Sequence, residues 1–202
     1  MGAEKQYIDL FSQSEKVINS NSSVIMNRLR KNAISDFEKQ GFPTKKLEDF
    51  KYTDVAKFFE PDYGINLKRL NIPANPDSVF KCDVPNLNTI ECFMVNDVFY
   101  PEVRKQSLIP DGVVFGSLKD LGDKYADIVE KYYGQLADTS KDAISALNTA
   151  FAQDGILLYI PKNVIIEEPI QLINLLRADV NLMSNRRLLI ILERGAQAKM
   201  LI

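Results

Sequence analysis

The chemistry open to this chain of 202 residues is bounded by a short inventory: no histidine and two cysteines, Cys82 and Cys92. Without an imidazole it supplies no Ser-His-Asp triad, no Cys-His pair and no histidine-ligated zinc. Two thiols fall short of a four-thiolate zinc site and of an iron–sulfur cluster held on thiolates alone. With Pro85 between them, Cys82 and Cys92 read as two small core or surface residues. The nine glycines are scattered and form neither a P-loop nor a GxGxxG fingerprint. The run Glu48-Asp49-Phe50-Lys51-Tyr52 could offer Glu48 as a base with Lys51 as its electrostatic partner. Nothing in its spacing provides a pocket, so it reads as a solvated face or a cap. Glu167-Glu168 could hold a divalent ion, but adjacent strand residues point to opposite faces, which reads as a corner. Arg186-Arg187 reads as a turn before a strand over Leu188–Leu192. The residues therefore predict a non-enzyme with no catalytic, cofactor-binding or metal-binding side chain and no cofactor.

The elements that would carry these residues begin with helices. Tyr7, Leu10, Phe11 and Ile18 recur at near-helical spacing. A second helix starts after Asn21-Ser22 as its cap and buries Ile25, Leu29, Ala33 and Phe37. Gly41 stops it, with Pro43 beyond. A short third helix is expected around Thr53 to Phe59. The prolines at 61, 73, 76 and 85 mark an ordered loop or wrapping segment. Glu91–Val95 and Val98–Tyr100 read as a hairpin around Asn96-Asp97. Val113–Phe115 is another strand, Ser117 caps a helix, and Tyr125–Leu136 is a further one. Thr139 with Asp142 marks the start of the next, whose buried stripe is Ala143, Leu147, Ala150 and Phe151.

At Gly155 the pattern changes. Isoleucine, leucine and valine fill 21 of the 48 positions from Gly155 to Ile202. GILLYI, NVIIEE, IQLINLL, RLLIILE and AKMLI read as short strands with Pro161, Pro169 and Gly195 at the breaks. There is no room for crossover helices, which leaves an antiparallel meander or a solenoid of stacked coils. The chain divides into a helical region (1–60), a mixed α/β segment (61–154) and the start of the strand stack (155–202). Phe151, Ile156, Leu158 and Ile160 are expected in one junction core, with the helix over Asp142–Gln153 closing the front of the stack. The chain stops inside an apolar strand pattern, which reads as a cut. Strand Ala198–Ile202 carries one charge and no proline, so self-association through that edge is expected.

Two strings carry a family resemblance. GFPTKKLEDFKYT (Gly41–Thr53) resembles a "GxPxxxxExWKYT" stretch of the SufB/SufD family, paired scaffold subunits of the Suf iron–sulfur cluster assembly system. Phe50 stands where the family commonly has Trp. ALNTAFAQDGILLYIPKNVIIEEPIQLINL (Ala146–Leu175) is similar to the family's "LNxAFxxDGxxxxVPxGxxLExPIxL", and RRLLIILERGAQAKMLI continues it. Arg30, Arg187 and Gly195 also fall in the family's pattern. The helical front is more like the SufD side of the family. The resemblance implies an α+β fold: helices and a small mixed segment, then the first coils of a right-handed parallel β-helix. It implies a non-catalytic scaffold that works with a SufB-like subunit and a SufC-like ATPase, whose contacts lie mostly beyond residue 202.

The bulk properties agree with that class. With 25 basic and 27 acidic residues, the net charge of -2 gives no field for nucleic acid. No apolar run is long enough for a bilayer or a signal peptide, so no membrane partner and a cytoplasmic setting are expected. A β-helix enzyme acting on carbohydrate or acyl groups and a purely structural interaction module are the alternative classes.

Overall fold

The structure is a computed structural model that describes residues 3–61, 63–65, 67, 88–177, 179 and 181–202. Cys82 and most of the proline-marked loop lie outside these residues. Helix α1 (Ala3–Ser20) buries Tyr7, Phe11, Ser14 and Ile18, one face at three- and four-residue steps. Helix α2 (Val24–Gln40) is capped by Ser23, one residue later than expected, whose side chain accepts from the Met26 N–H. It ends at Gly41, where φ is 65° and the N–H returns to the Phe37 carbonyl. Helix α3 (Val55–Phe58) is capped by Asp54.

Strands β1 (Ile90–Val95) and β2 (Val98–Phe99) form the expected hairpin, with Asn96 at φ 55° in its turn. Strand β3 (Val114–Ser117) leads into helix α4 (Leu118–Gly122), and the Ser117 hydroxyl caps it by accepting from the Asp120 N–H. Helix α5 (Ala126–Tyr132) is shorter than expected, because the chain reaches positive φ at Gly134. A Cβ there would sit 2.4 Å from Leu29 Cδ1. Helix α6 (Ala143–Phe151) is capped by Asp142 alone; Thr139 instead donates its hydroxyl to Asp36.

Strands β4 (Asp154–Ile160), β5 (Ile170–Leu175), β6 (Arg186–Leu192) and β7 (Met200–Leu201) alternate between two sheets. One sheet has the order β2-β1-β5-β7, the other β3-β4-β6. Pairing is parallel for β4 with β6, β5 with β7 and β1 with β5, and antiparallel within the hairpin and between β3 and β4. From β4 on, strands two apart in sequence thus stack in parallel, and a pure meander is excluded. NVIIEE forms no strand; Ile165 makes one parallel bridge to Gln197.

Three clusters hold these parts together. Tyr7, Phe11, Phe37, Phe42 and Phe151 form an aromatic core among α1, α2 and α6, with Phe11 and Phe151 edge-to-face at 5.7 Å. Between the sheets, Ile90, Cys92 and Met94 pack with Ile156, Leu158, Ile160, Ile166, Ile170 and Leu172. On the other face of β4 and β6, Leu157 and Ile191 pack with Met26, Leu118, Val129 and Tyr133. Phe151 and Ile156 therefore belong to different cores, contrary to expectation. The front of the stack is closed by strands, β3 against β4 and β1 against β5. The free N–H and C=O groups of a strand need ladder partners, which a helix cannot give.

Candidate functional site

The sequence singled out few residues, and the structure brings none of the described ones together as a reactive centre. Cys92 lies on β1 inside the inter-sheet core, with its thiol 3.5 Å from the Gln171 carbonyl oxygen. Burial pushes that thiol up to about 12, so it stays protonated and inert near neutral pH. Glu48 to Phe50 form a 3-10 turn in which Glu48 and Asp49 are exposed and Phe50 packs half-buried against the aromatic core. Lys51 pairs with Glu48 at 3.7 Å, and Tyr52 is 92% exposed, so the segment has no pocket. Glu167 is exposed, and no group of three or more metal-ligating acids or thiols exists among the described residues.

Arg186 and Arg187 are the opening residues of β6, not a turn. Arg186 donates to the Asn96 carbonyl at 3.3 Å, and burial lowers its guanidinium pKa. Arg187 reaches back to α6, donating to the Thr149 hydroxyl and to the Ser145 carbonyl.

Two polar groups were invisible as anchors in the sequence. Asp154 opens β4 and is buried. Its Oδ1 accepts from the Ser117 hydroxyl at 2.8 Å, the Lys119 N–H at 3.1 Å and the Gly155 N–H at 2.8 Å. Its Oδ2 accepts from the Phe99 N–H at 3.0 Å. One carboxylate thereby ties β2, β3, α4 and β4 together. Arg30, 1% exposed, donates from α2 to the Ala150 and Thr149 carbonyls at the C-terminal end of α6, where the helix dipole favours a cation. Desolvation lowers it to about 10, partly offset by Tyr133. Gly155 is required by close approach: a Cβ would lie 2.0 Å from the Arg187 carbonyl oxygen. Thr149, Ala150, Asp154 and Gly155 of the ALNTAFAQDG string thus each make a structural contact.

The surface feature that stands out is a sheet edge. Strands β6 and β7 end their sheets. Leu188, Ile190 and Leu192 pair in register with the buried Ile156, Leu158 and Ile160, yet are 39%, 41% and 45% exposed. Beside them runs an apolar groove of about 290 Å³, walled by Tyr132, Leu136, Leu188 and Ile190. Among the described residues this edge presents aliphatic side chains and no acid–base pair.

Comparison with known proteins points the same way. A family model described as the N-terminal region of SufBD proteins matches residues 1–172. An iron–sulfur cluster assembly SufBD family protein of Synechocystis is 24% identical over 191 residues, covering 94% of this chain and 41% of that protein. A SufBD family protein of Trieres chinensis is 34% identical over 179 residues, covering 78% of this chain and 36% of that protein. The iron–sulfur cluster assembly protein SufD of Bacillus subtilis is 38% identical over 69 residues, 33% of this chain and 15% of that protein. The chain spans less than half the length of each of these relatives.

Proposed function

The chain belongs to the SufB/SufD family, and from that premise we propose that it forms the front part of a SufD-type, non-catalytic scaffold on which iron–sulfur clusters are assembled. The match of the family model across residues 1–172 carries this reading. The cluster is cargo of the assembly. In the parent protein, a SufB-like subunit and a SufC-like ATPase are its partners, in the cytoplasm. No helix among the described residues is long and apolar enough to cross a membrane.

The strand pattern supports the accompanying fold proposal, the first coils of a right-handed parallel β-helix. From β4 to β7 successive strands change sheet, and β4 and β5 each pair in parallel with the strand two places on, a repeat of roughly 30 residues within the range of solenoids. The Ile165–Gln197 bridge continues the stacking between strands. An enzyme acting on carbohydrate or acyl groups gains no support from the comparisons.

Depletion of the parent protein in its host tests the function. The expected result is lost activity of [4Fe–4S] enzymes while their polypeptide levels hold, and co-purification of the tagged parent with a SufB-like subunit and a SufC-like ATPase. Full cluster occupancy after depletion would sink the reading.

A further inference from the structure

We infer that Asp111–Gly112 is a site of spontaneous covalent modification, at which the folded chain converts aspartate to isoaspartate, while the fold protects the identical step Asp154–Gly155. The inference is independent of the functional reading. It rests on the sequence holding this dipeptide twice, in opposite surroundings. An aspartate followed by glycine can close on itself, because the glycine nitrogen is shielded by no side chain. That nitrogen attacks Cγ of the aspartate, a C–N bond forms, and one carboxyl oxygen leaves as water with the amide proton. The resulting succinimide ring then takes up water again. Addition at Cγ restores aspartate. Addition at the former main-chain carbonyl gives isoaspartate, in which the backbone runs through Cγ. One water leaves and one enters, and nothing is oxidised or reduced.

The reaction needs a carboxyl group and a nitrogen that are not engaged elsewhere, freedom to swing one onto the other, and access to water. Asp111–Gly112 meets these needs. Both residues are exposed. They form the middle of a turn closed by a single bond, in which the Val113 N–H donates to the Pro110 carbonyl at 3.3 Å. Gly112 has φ 82°, the left-handed value that glycine supplies to turns. Among the described residues, neither the Asp111 carboxylate nor the Gly112 N–H has a hydrogen-bond partner.

Asp154–Gly155 meets none of them. Asp154 is buried, and its carboxylate accepts from the Ser117 hydroxyl and from the Phe99 and Lys119 N–H groups. The Gly155 N–H itself donates to Asp154 Oδ1 at 2.8 Å, so the nitrogen is held as a donor to oxygen and not as an attacker of Cγ. Gly155 is also fixed in β4 opposite Arg187 of β6, too close for even a methyl group to enter. Cyclisation there requires β4 to open, and opening a buried strand costs up to the stability of the whole fold. At Asp111 no element has to open. Isoaspartate at that position lengthens the main chain by one carbon just ahead of β3, whose Val114 pairs with Tyr159 of β4.

Ageing the 202-residue chain in water labelled with heavy oxygen, at physiological temperature and neutral pH, tests this. Each passage through the succinimide leaves one heavy oxygen in the chain. After transfer to ordinary water, trypsin releases Asp111 in peptide 106–119 and Asp154 in peptide 142–162, and fragmentation locates the label. The expected result is label and an isoaspartyl isomer accumulating at Asp111 at least about tenfold faster than at Asp154, which reacts only from opened molecules. In urea beyond the unfolding transition, the two sites should take up label at similar rates, which identifies the fold as the source of the difference. Asp111→Glu, whose longer side chain would have to close a larger ring, should abolish the isomer in peptide 106–119. Absence of label at Asp111 in the folded chain overturns the proposal. So does equal labelling of the two sites in the folded chain, a difference that persists unchanged in urea, or an isomer that survives Asp111→Glu.

Discussion

Cys92 shows how placement fixes what a reactive group can do. Its thiol titrates near 12 in the folded chain, above the value of an exposed thiol, because burial penalises the thiolate. The folded state therefore holds a proton that the unfolded state releases above about pH 8.5. Stability from this residue is fully present below that pH and is lost as pH rises toward 12. Denaturant melts should show stability falling above about pH 9, with a shallower fall in Cys92→Ala, and Cys92 should resist alkylation until the chain opens. Asp154 is the opposite case, a charge made useful by its partners. Asp154→Ala leaves the Phe99 and Lys119 N–H groups and the Ser117 hydroxyl without their acceptor. The expected cost is about 3 kcal/mol or more, read from urea melts. A loss below about 1 kcal/mol would show that water replaces the carboxylate. An aspartate before a glycine reads as a turn in sequence, so nothing in the letters revealed this anchor: its donors lie on three other elements.

Elements whose signals are local were legible, and those set by distant neighbours were not. The β1–β2 hairpin follows from Asn96, which tolerates positive φ, between alternating apolar residues. The Ser117 cap, the stripe on α6 and the stop at Gly41 were readable for the same reason. The start of β6 at Arg186 was not, because two arginines look solvated until Ser145, Thr149 and Asn96 appear as their acceptors. NVIIEE was read as a strand from its aliphatics, yet only Ile165 finds a bridge. The same limit applies to Phe151: its burial was evident from spacing, but its neighbours, Tyr7 and Phe11, lie far away along the chain. Phe151→Ala should cost about 3–5 kcal/mol, the range for an aromatic truncated in a core. Because Phe151 packs with the helices, hydrogen exchange should accelerate more in α1 and α6 than in β5. Equal acceleration in β5 would mean that the helical and inter-sheet cores are coupled.

At the scale of the whole molecule, the described residues contain no group of three or more cysteine, aspartate or glutamate side chains placed to share a metal ion. Anaerobic incubation of the chain with iron and sulfide should give no stoichiometric absorbance in the visible region. A stable chromophore abolished by Cys92→Ser or Cys82→Ser would show a site made by the chain itself. Sequence reasoning left stacked coils as one of two choices, since aliphatic strands look alike whichever way they run. The parallel pairings that exclude a pure meander are encoded in no single strand.

One consequence of those pairings concerns time. Strand β5 stacks on β1, and β4 stacks on β3, so each of these two strands joins a partner that precedes it in the chain. Their successors β6 and β7 repeat the rule against β4 and β5. During synthesis each strand from β4 to β7 therefore emerges after the strand it joins. The long separation between β1 and β5 makes their docking the slow, loop-closing event. After it, β6 and β7 add to edges already made, with the hairpin at the start of one sheet and β3 at the start of the other.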